Sequence, residues 1–227
     1  MNTANTMKTS ASPRRVAIAG ASGLVGQYIL QGLLADDSVS EVHALGRRPL
    51  RVQHPELVEH VVDFAALPAL PPLDELYLAL GTTIRDAGSE AAFRAIDFGA
   101  NLAVAKAALT AGVSRIAVVS AAGADSHSRG FYNRVKGELE EALAEAGCDA
   151  LLIARPSLLL GNRAELGQTP RRAEQWATAI FGRLSWIFPL SLRPIEARRV
   201  AAALVTQLPS SKGHVILSSA NLHRLGA

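Results

Sequence analysis

The chain has 227 residues, 49% apolar and 19% charged, with a formal net charge of +3. That length and balance specify a folded chain with a sizeable core, and the charge excess is too small and scattered to recruit nucleic acid. The single cysteine, Cys148, excludes an internal disulfide framework and fits a reducing compartment.

Residues 1–14 are polar, carry Ser, Thr and Asn without a continuous apolar stretch, and predict a flexible tail rather than a signal peptide. Residues 15–227 predict a single domain. No apolar run reaches the roughly 20 residues that span a bilayer. The nearest, Trp176 to Leu192, is broken by Arg183 and Pro189. A cytoplasmic protein without a transmembrane segment is expected.

The first apolar run, Val16-Ala17-Ile18-Ala19, ends in Gly20-Ala21-Ser22-Gly23-Leu24-Val25-Gly26, and a helical pattern begins at once (Leu24, Val25, Tyr28, Ile29, Leu33). A strand that turns tightly into a helix offers free backbone N–H groups and the positive end of the helix dipole to a phosphate. Glycines suit that turn because a Cβ blocks both the bend and the approach of a pyrophosphate. Gly20, Ser22, Gly23, Leu24, Val25 and Gly26 are therefore cofactor-binding candidates.

Further apolar runs at 41–45, 58–62, 75–80, 115–120, 149–154 and 214–218 alternate with periodic segments at 24–35, 89–111, 131–146 and 197–208. Alternation of this kind predicts an α/β fold, a doubly wound, mainly parallel Rossmann-type sheet of about seven strands with helices on both faces. The connection from Gly46 to Leu57 is short and holds two prolines, so a helix is not secure there. Residues 156–194 predict a small C-terminal cap near the strand ends.

In such sheets ligands bind beyond the carboxyl ends of the strands, so the residues that follow each strand are the ones to weigh. The second strand is followed by Arg47 and Arg48 with no Asp or Glu. A guanidinium binds a 2′-phosphate that a carboxylate repels, which favours NADP(H) over NAD(H). Asp63, with Phe64 beside it, follows the third strand and either meets the adenine amino group or caps the next segment. Leu80, Gly81, Thr82 and Thr83 follow the fourth strand and let backbone lie beside a ribose. Pro156, after the sixth, leaves neighbouring backbone groups free for a nicotinamide carboxamide.

The fifth strand delivers Ser120, and Tyr132 and Lys136 follow with a spacing of four, on one face of a helix. A phenol is a poor acid–base group at neutral pH, and a nearby ammonium favours its ionised form. The Ser120 hydroxyl is expected to polarise a carbonyl oxygen as charge develops there. Ser126 and Ser128 are alternatives for that hydroxyl; His127 reads as a solvated loop residue, and Cys148 as a small buried side chain. No metal is expected.

With these pieces in place the chain resembles the atypical short-chain dehydrogenase/reductase superfamily, and within it the Tat-interacting-protein-like NAD(P)-binding oxidoreductases. The segments that carry the likeness are GASGLVG at 20–26, LGRRPL at 45–50, VVDF at 61–64, LGTT at 80–83, SAAGAD at 120–125, YNRVKGELE at 132–140 and ARPSLLLG at 154–161. The resemblance implies NADP(H) binding through Gly20, Gly23 and Gly26, with Arg47 and Arg48 at the 2′-phosphate. It also implies Tyr132 as acid–base, Lys136 as its partner and ribose ligand, and Ser120 as the polarising group.

Two functions fit. One is an NADPH-dependent oxidoreductase acting on a small apolar carbonyl or alcohol. The other is a non-catalytic NADP(H)-binding regulatory module acting through protein partners. The aromatic segment from Trp176 to Phe188 serves as a buried helix, a pocket wall, or a surface for dimerisation or peripheral membrane contact.

Overall fold

A computed structural model describes residues 13–161 and 193–226. In chain order it forms β1 (Arg14–Ala19), α1 (Leu24–Leu34), β2 (Val39–Gly46), β3 (Leu57–Val61) and β4 (Glu75–Leu78). Two short helices follow, α2 (Ile84–Ala87) and α3 (Glu90–Arg94). A π-helical segment (Ala95–Ala100) then leads without a break into α4 (Asn101–Thr110). Next come β5 (Arg115–Val119), α5 (Phe131–Ala144), β6 (Ala150–Arg155), β7 (Leu159–Leu160) and β8 (Ile195–Glu196). The chain closes with α6 (Ala197–Gln207), a 3-10 turn (Leu208–Ser210), β9 (Gly213–Ser218) and α7 (Ser219–Leu225).

Seven strands form one sheet in the order β3-β2-β1-β4-β5-β6-β9, every neighbouring pair parallel. The chain winds outward from β1 to β3 and then returns to lay β4 on the other side of β1. That reversal opens a crevice at the β1/β4 carboxyl ends. The expected parallel α/β sheet is the observed one. The link between β2 and β3 has no helix, as its length and prolines foreshadow.

Side-chain alternation along β1 shows how the two layers form. Val16 and Ile18 face a core shared with α1 and α6, where Ile29, Leu33, Val200 and Leu204 are fully buried. Ala17 and Ala19 face the opposite core, shared with α4 and α5 through Val104, Ala108, Leu139 and Leu143. Successive strand residues point to opposite faces, so a strand buried on both sides reads as a continuous apolar run.

Arg14, which its sequence setting assigns to the tail, is instead the first residue of β1. Its guanidinium reaches the buried Glu75 carboxylate at 2.5 Å and Asp36 at 2.6 Å. Within the expected cap lies β7, which pairs in parallel with β8 just beyond it, the Ile195 N–H donating to the Leu158 carbonyl at 2.9 Å. The aromatic segment from Trp176 to Phe188 lies outside the described residues. Among the described residues no helix is long and apolar enough to cross a membrane.

Candidate active site

A continuous groove runs along the carboxyl ends of the strands. One arm, about 660 Å³, extends from Arg47, Arg48, Asp63 and Phe64 across Gly20, Ser22 and Gly23 to Leu80, Gly81 and Thr82. The other, about 400 Å³, shares Gly23 and residues 79–82 with the first. It continues past Leu24, Val25 and Thr83 to Ser120, Tyr132, Lys136 and Pro156. Apart from the alternative hydroxyls of Ser126 and Ser128, the two arms therefore gather all but one of the candidate site residues.

The exception is Gly26, which packs rather than lines. A Cβ there would lie 2.0 Å from the Gly20 carbonyl oxygen, so only glycine lets α1 settle this close to the turn. Gly20 is needed for the turn itself. Its φ of +93° is open to glycine, and a Cβ would sit 2.5 Å from the Ala79 carbonyl group. No side chain caps α1 at Gly23, and its first turn carries no acidic residue. The free N–H groups and the dipole of this 11-residue helix thus remain available to an anion at the groove.

Arg47 and Arg48 stand exposed at the far end, and among the described residues neither side chain has a hydrogen-bond or ion-pair partner. Asp63 accepts the Ala65 N–H at 3.0 Å through one oxygen while lining the same arm, so it closes the turn that follows β3. Beneath this end, His43 Nδ1 meets His60 Nε2 at 2.9 Å and their rings stack, tying β2 to β3.

Both arms have walls that sequence reasoning missed. Ile96 and the small residues Ala95, Gly99, Ala100 and Ala103, on the π segment and α4, line the first arm. Ser157, Leu158 and Leu159 line the second. In sequence the alanines read only as helix formers, and their service as a groove wall comes from where the π turn places them.

Helix α5 carries the chemistry of the second arm. Tyr132 and Lys136 share one of its faces, and Glu140 extends the same four-residue spacing. Lys136 and Glu140 are both buried there among Val135, Leu139 and Leu143. Each has found an opposite charge, as buried charges must. Lys136 Nζ lies 2.7 Å from Asp97 Oδ1, and the other Asp97 oxygen accepts the Thr82 N–H at 2.9 Å. Glu140 is gripped by the Arg155 guanidinium, whose Nε reaches both carboxylate oxygens at 3.1 Å. Hydrogen bonding to Glu140 raises the Arg155 pKa, against the smaller opposing pull of burial.

Ser120, at the end of β5, is buried, and its Oγ donates to Glu140. Its one proton is directed at that carboxylate rather than at the groove. Tyr132 is 39% exposed, and its ring rests on the buried Phe93 at a centroid distance of 5.5 Å. Thr83 lines the arm and caps α2 by accepting the Asp86 N–H at 3.0 Å.

Ser126 and Ser128 do not reach the groove. Ser126 donates to Glu141, and Ser128 accepts the Gly130 N–H at 3.2 Å. The His127 side chain is 91% exposed, a solvated loop residue as expected. Burial pushes the Cys148 thiol pKa up, which fits an unreactive side chain. Among the described residues no group of His, Cys, Asp and Glu is placed to hold a metal ion.

Asp97, Glu140 and Arg155 do not stand out in the sequence. Glu140 carries a signal, since it stands one more helical step of four beyond Lys136. Asp97 carries none, because an aspartate in an alanine-rich helical stretch reads as a solvated face.

A family model described as NAD(P)H-binding matches residues 20–160. The chain is 32% identical over 219 residues to Protein HTATIP2 of Rattus norvegicus, covering 92% of this chain and 88% of that protein. It is 33% identical over 196 residues to "Protein FMP52, mitochondrial" of Debaryomyces hansenii, covering 83% and 84% respectively. Among solved structures, MoeE5 in complex with UDP-glucose and NAD aligns with a TM-score of 0.69 at 18% identity, covering 89% of this chain and 75% of that one. A UDP-N-acetylglucosamine 4-epimerase from Methanobrevibacter ruminantium aligns with a TM-score of 0.67 at 14% identity, covering 92% and 77%. At such identities these two structures speak to the Rossmann fold alone.

Proposed function

This chain belongs to the NAD(P)H-binding family, and on that premise we propose that it is an NADPH-dependent oxidoreductase acting on a small apolar carbonyl or alcohol. One observation carries the reading. A single groove holds a phosphate-binding glycine turn and two exposed arginines at one end, and Tyr132, Lys136 and Ser120 at the other.

The residues fit a dinucleotide. The turn at Gly20 is a cradle that a Cβ would fill, and the α1 N-terminus faces it uncapped. Arg47 and Arg48 supply the charge for a 2′-phosphate, with Asp63 and Phe64 beside the adenine. When bound, the nicotinamide supplies or accepts the hydride. Tyr132 gives a proton to the substrate oxygen in reduction and takes it back in oxidation. Lys136, held by Asp97, stands on the same face of α5 and orients the ribose end.

The substrate class follows from the lining of the second arm. Leu24, Val25, Leu158 and Leu159 contribute apolar walls. Among the described residues its one cation is Lys136, which Asp97 already neutralises. An arm so lined favours a neutral apolar compound over a phosphorylated one.

Titration of the purified protein with NADPH and NADH, followed by nucleotide fluorescence, tests the cofactor half; tighter binding of NADPH is expected. Consumption of NADPH with 4-nitrobenzaldehyde, an apolar aromatic aldehyde, tests the chemistry. Equal affinity for both nucleotides removes the 2′-phosphate assignment. Tight binding without turnover of any carbonyl selects the regulatory module instead.

A further inference from the structure

Ser120 and Glu140 share a hydrogen bond whose direction is settled by a third residue. Both Glu140 oxygens accept from the Arg155 guanidinium, which can only donate. Glu140 is therefore a carboxylate with nothing but lone pairs to offer, and Ser120 is the donor between them. A hydroxyl has one proton. The face that Ser120 turns to the second arm of the groove is left with lone pairs only.

The strand end and the helix are locked together around this bond. The loop leaving Ser120 rests on α5 at Gly137, where a Cβ would lie 2.1 Å from the Ser126 backbone nitrogen. Glu140 itself is 5% exposed and does not line the groove, so it reaches the pocket only through Ser120.

We propose that Glu140 is a positioning residue that makes Ser120 a hydrogen-bond acceptor toward the substrate, leaving the Tyr132 hydroxyl to donate to the substrate oxygen. This rests on the oxidoreductase reading and deepens it. In the NADPH complex, where Tyr132 is protonated, an alcohol donates its O–H to Ser120 while its oxygen accepts from Tyr132; a carbonyl compound accepts from Tyr132 alone. The site thus favours the alcohol member of a substrate pair by one hydrogen bond.

Glu140→Gln reverses the polarity at nearly constant volume. The amide must turn its oxygen to Arg155 and its NH₂ to Ser120, which frees the serine proton for the pocket. Glu140→Asp keeps the charge beside Arg155 but withdraws it from Ser120 by one methylene. Both are made in the full chain, with Ser120→Ala and the Ser120→Ala/Glu140→Gln double variant. NADPH affinity and the thermal midpoint establish that each is folded.

The readout is the affinity of the NADPH complex for 4-nitrobenzyl alcohol, followed by nucleotide fluorescence. It is set against the Michaelis constant for the corresponding aldehyde, 4-nitrobenzaldehyde. Glu140→Gln is expected to weaken the alcohol about threefold to tenfold, the size of one net hydrogen bond, with the aldehyde value unchanged or lower. Ser120→Ala weakens the alcohol similarly, and the double variant weakens it no further. If Glu140→Gln does not fold, Glu140→Asp is read in the same way.

Parallel weakening of alcohol and aldehyde, or losses that multiply in the double variant, overturn the proposal, because a merely structural carboxylate behaves so. An unchanged alcohol affinity in Glu140→Gln also overturns it. Failure of the oxidoreductase reading looks different: the wild-type protein itself binds NADPH and consumes none of it.

Discussion

At the Arg47 end of the groove the chain presents backbone, small residues and two exposed cations without partners among the described residues, whereas at the Tyr132 end Ser120 and Lys136 are each engaged by a buried carboxylate. The first end is open in charge and waits for an anion to complete it. The second is balanced before any ligand arrives, with Asp97 against Lys136 and Glu140 against Arg155. An electrostatically balanced site can hold its hydrogen-bond directions fixed, which chemistry requires. A binding site for a highly charged nucleotide gains more from cations left free.

The sharpest way to break this comparison is at Tyr132. Tyr132→Phe preserves the ring that packs on Phe93 and removes only the hydroxyl. Turnover is expected to fall by about 10²- to 10⁴-fold. NADPH affinity should stay nearly unchanged by fluorescence titration. Undiminished turnover dismisses Tyr132 as the proton donor.

Next in size is Asp97→Ala, which strands the ammonium of a lysine whose side chain is 5% exposed. Removing one member of a buried pair costs roughly 3–5 kcal/mol, a loss to be read by urea denaturation. A change under about 1 kcal/mol means that solvent reaches the pair and the second end is not closed.

The open end predicts a smaller and selective effect. Arg47→Ala and Arg48→Ala should each weaken NADPH by about 1.5–3 kcal/mol if each makes a charge-assisted contact, while NADH binding hardly changes. An unaltered NADPH/NADH ratio erases the contrast between the two ends.

The smallest effect lies beneath the open end. Burial, with His43 as a second cause, lowers the His60 pKa from its ordinary 6.5. The unfolded chain then binds the proton first as pH falls. Stability from His60 is complete above about pH 6.5 and is lost as pH drops through its lower folded value. Urea midpoints for wild type should fall between about pH 7.5 and about pH 5.5, and His60→Phe should flatten the part of that fall that His60 causes. Parallel curves for the two proteins show that His60 carries no pH dependence.

Legibility in the sequence divides along the same line as the two ends. The turn at Gly20 is readable because every element of it lies within a few residues, and the switch from strand to helix period marks it. Arg47 and Arg48 are readable because they directly follow a recognisable strand. Helical spacing reveals Tyr132 and Lys136, but not the carboxylate that the Ser120 hydroxyl meets. Its proton goes to Glu140, 20 residues away in the chain, and nothing local in sequence orients a hydroxyl.

By itself, then, the sequence determined the order of the seven sheet strands and the longer helical segments, the parallel sheet, the glycine turn and the residue types that reach the strand ends. Each of these depends on periodicity, on glycine and proline stereochemistry, or on position relative to one element. The tertiary structure alone decided that a π turn carries Asp97 to Lys136, that Arg155 on β6 grips Glu140 on α5, and that the Ser120 hydroxyl meets that same carboxylate. Charges brought together from separate elements choose their partners by packing and desolvation. Those forces act only once the elements have met.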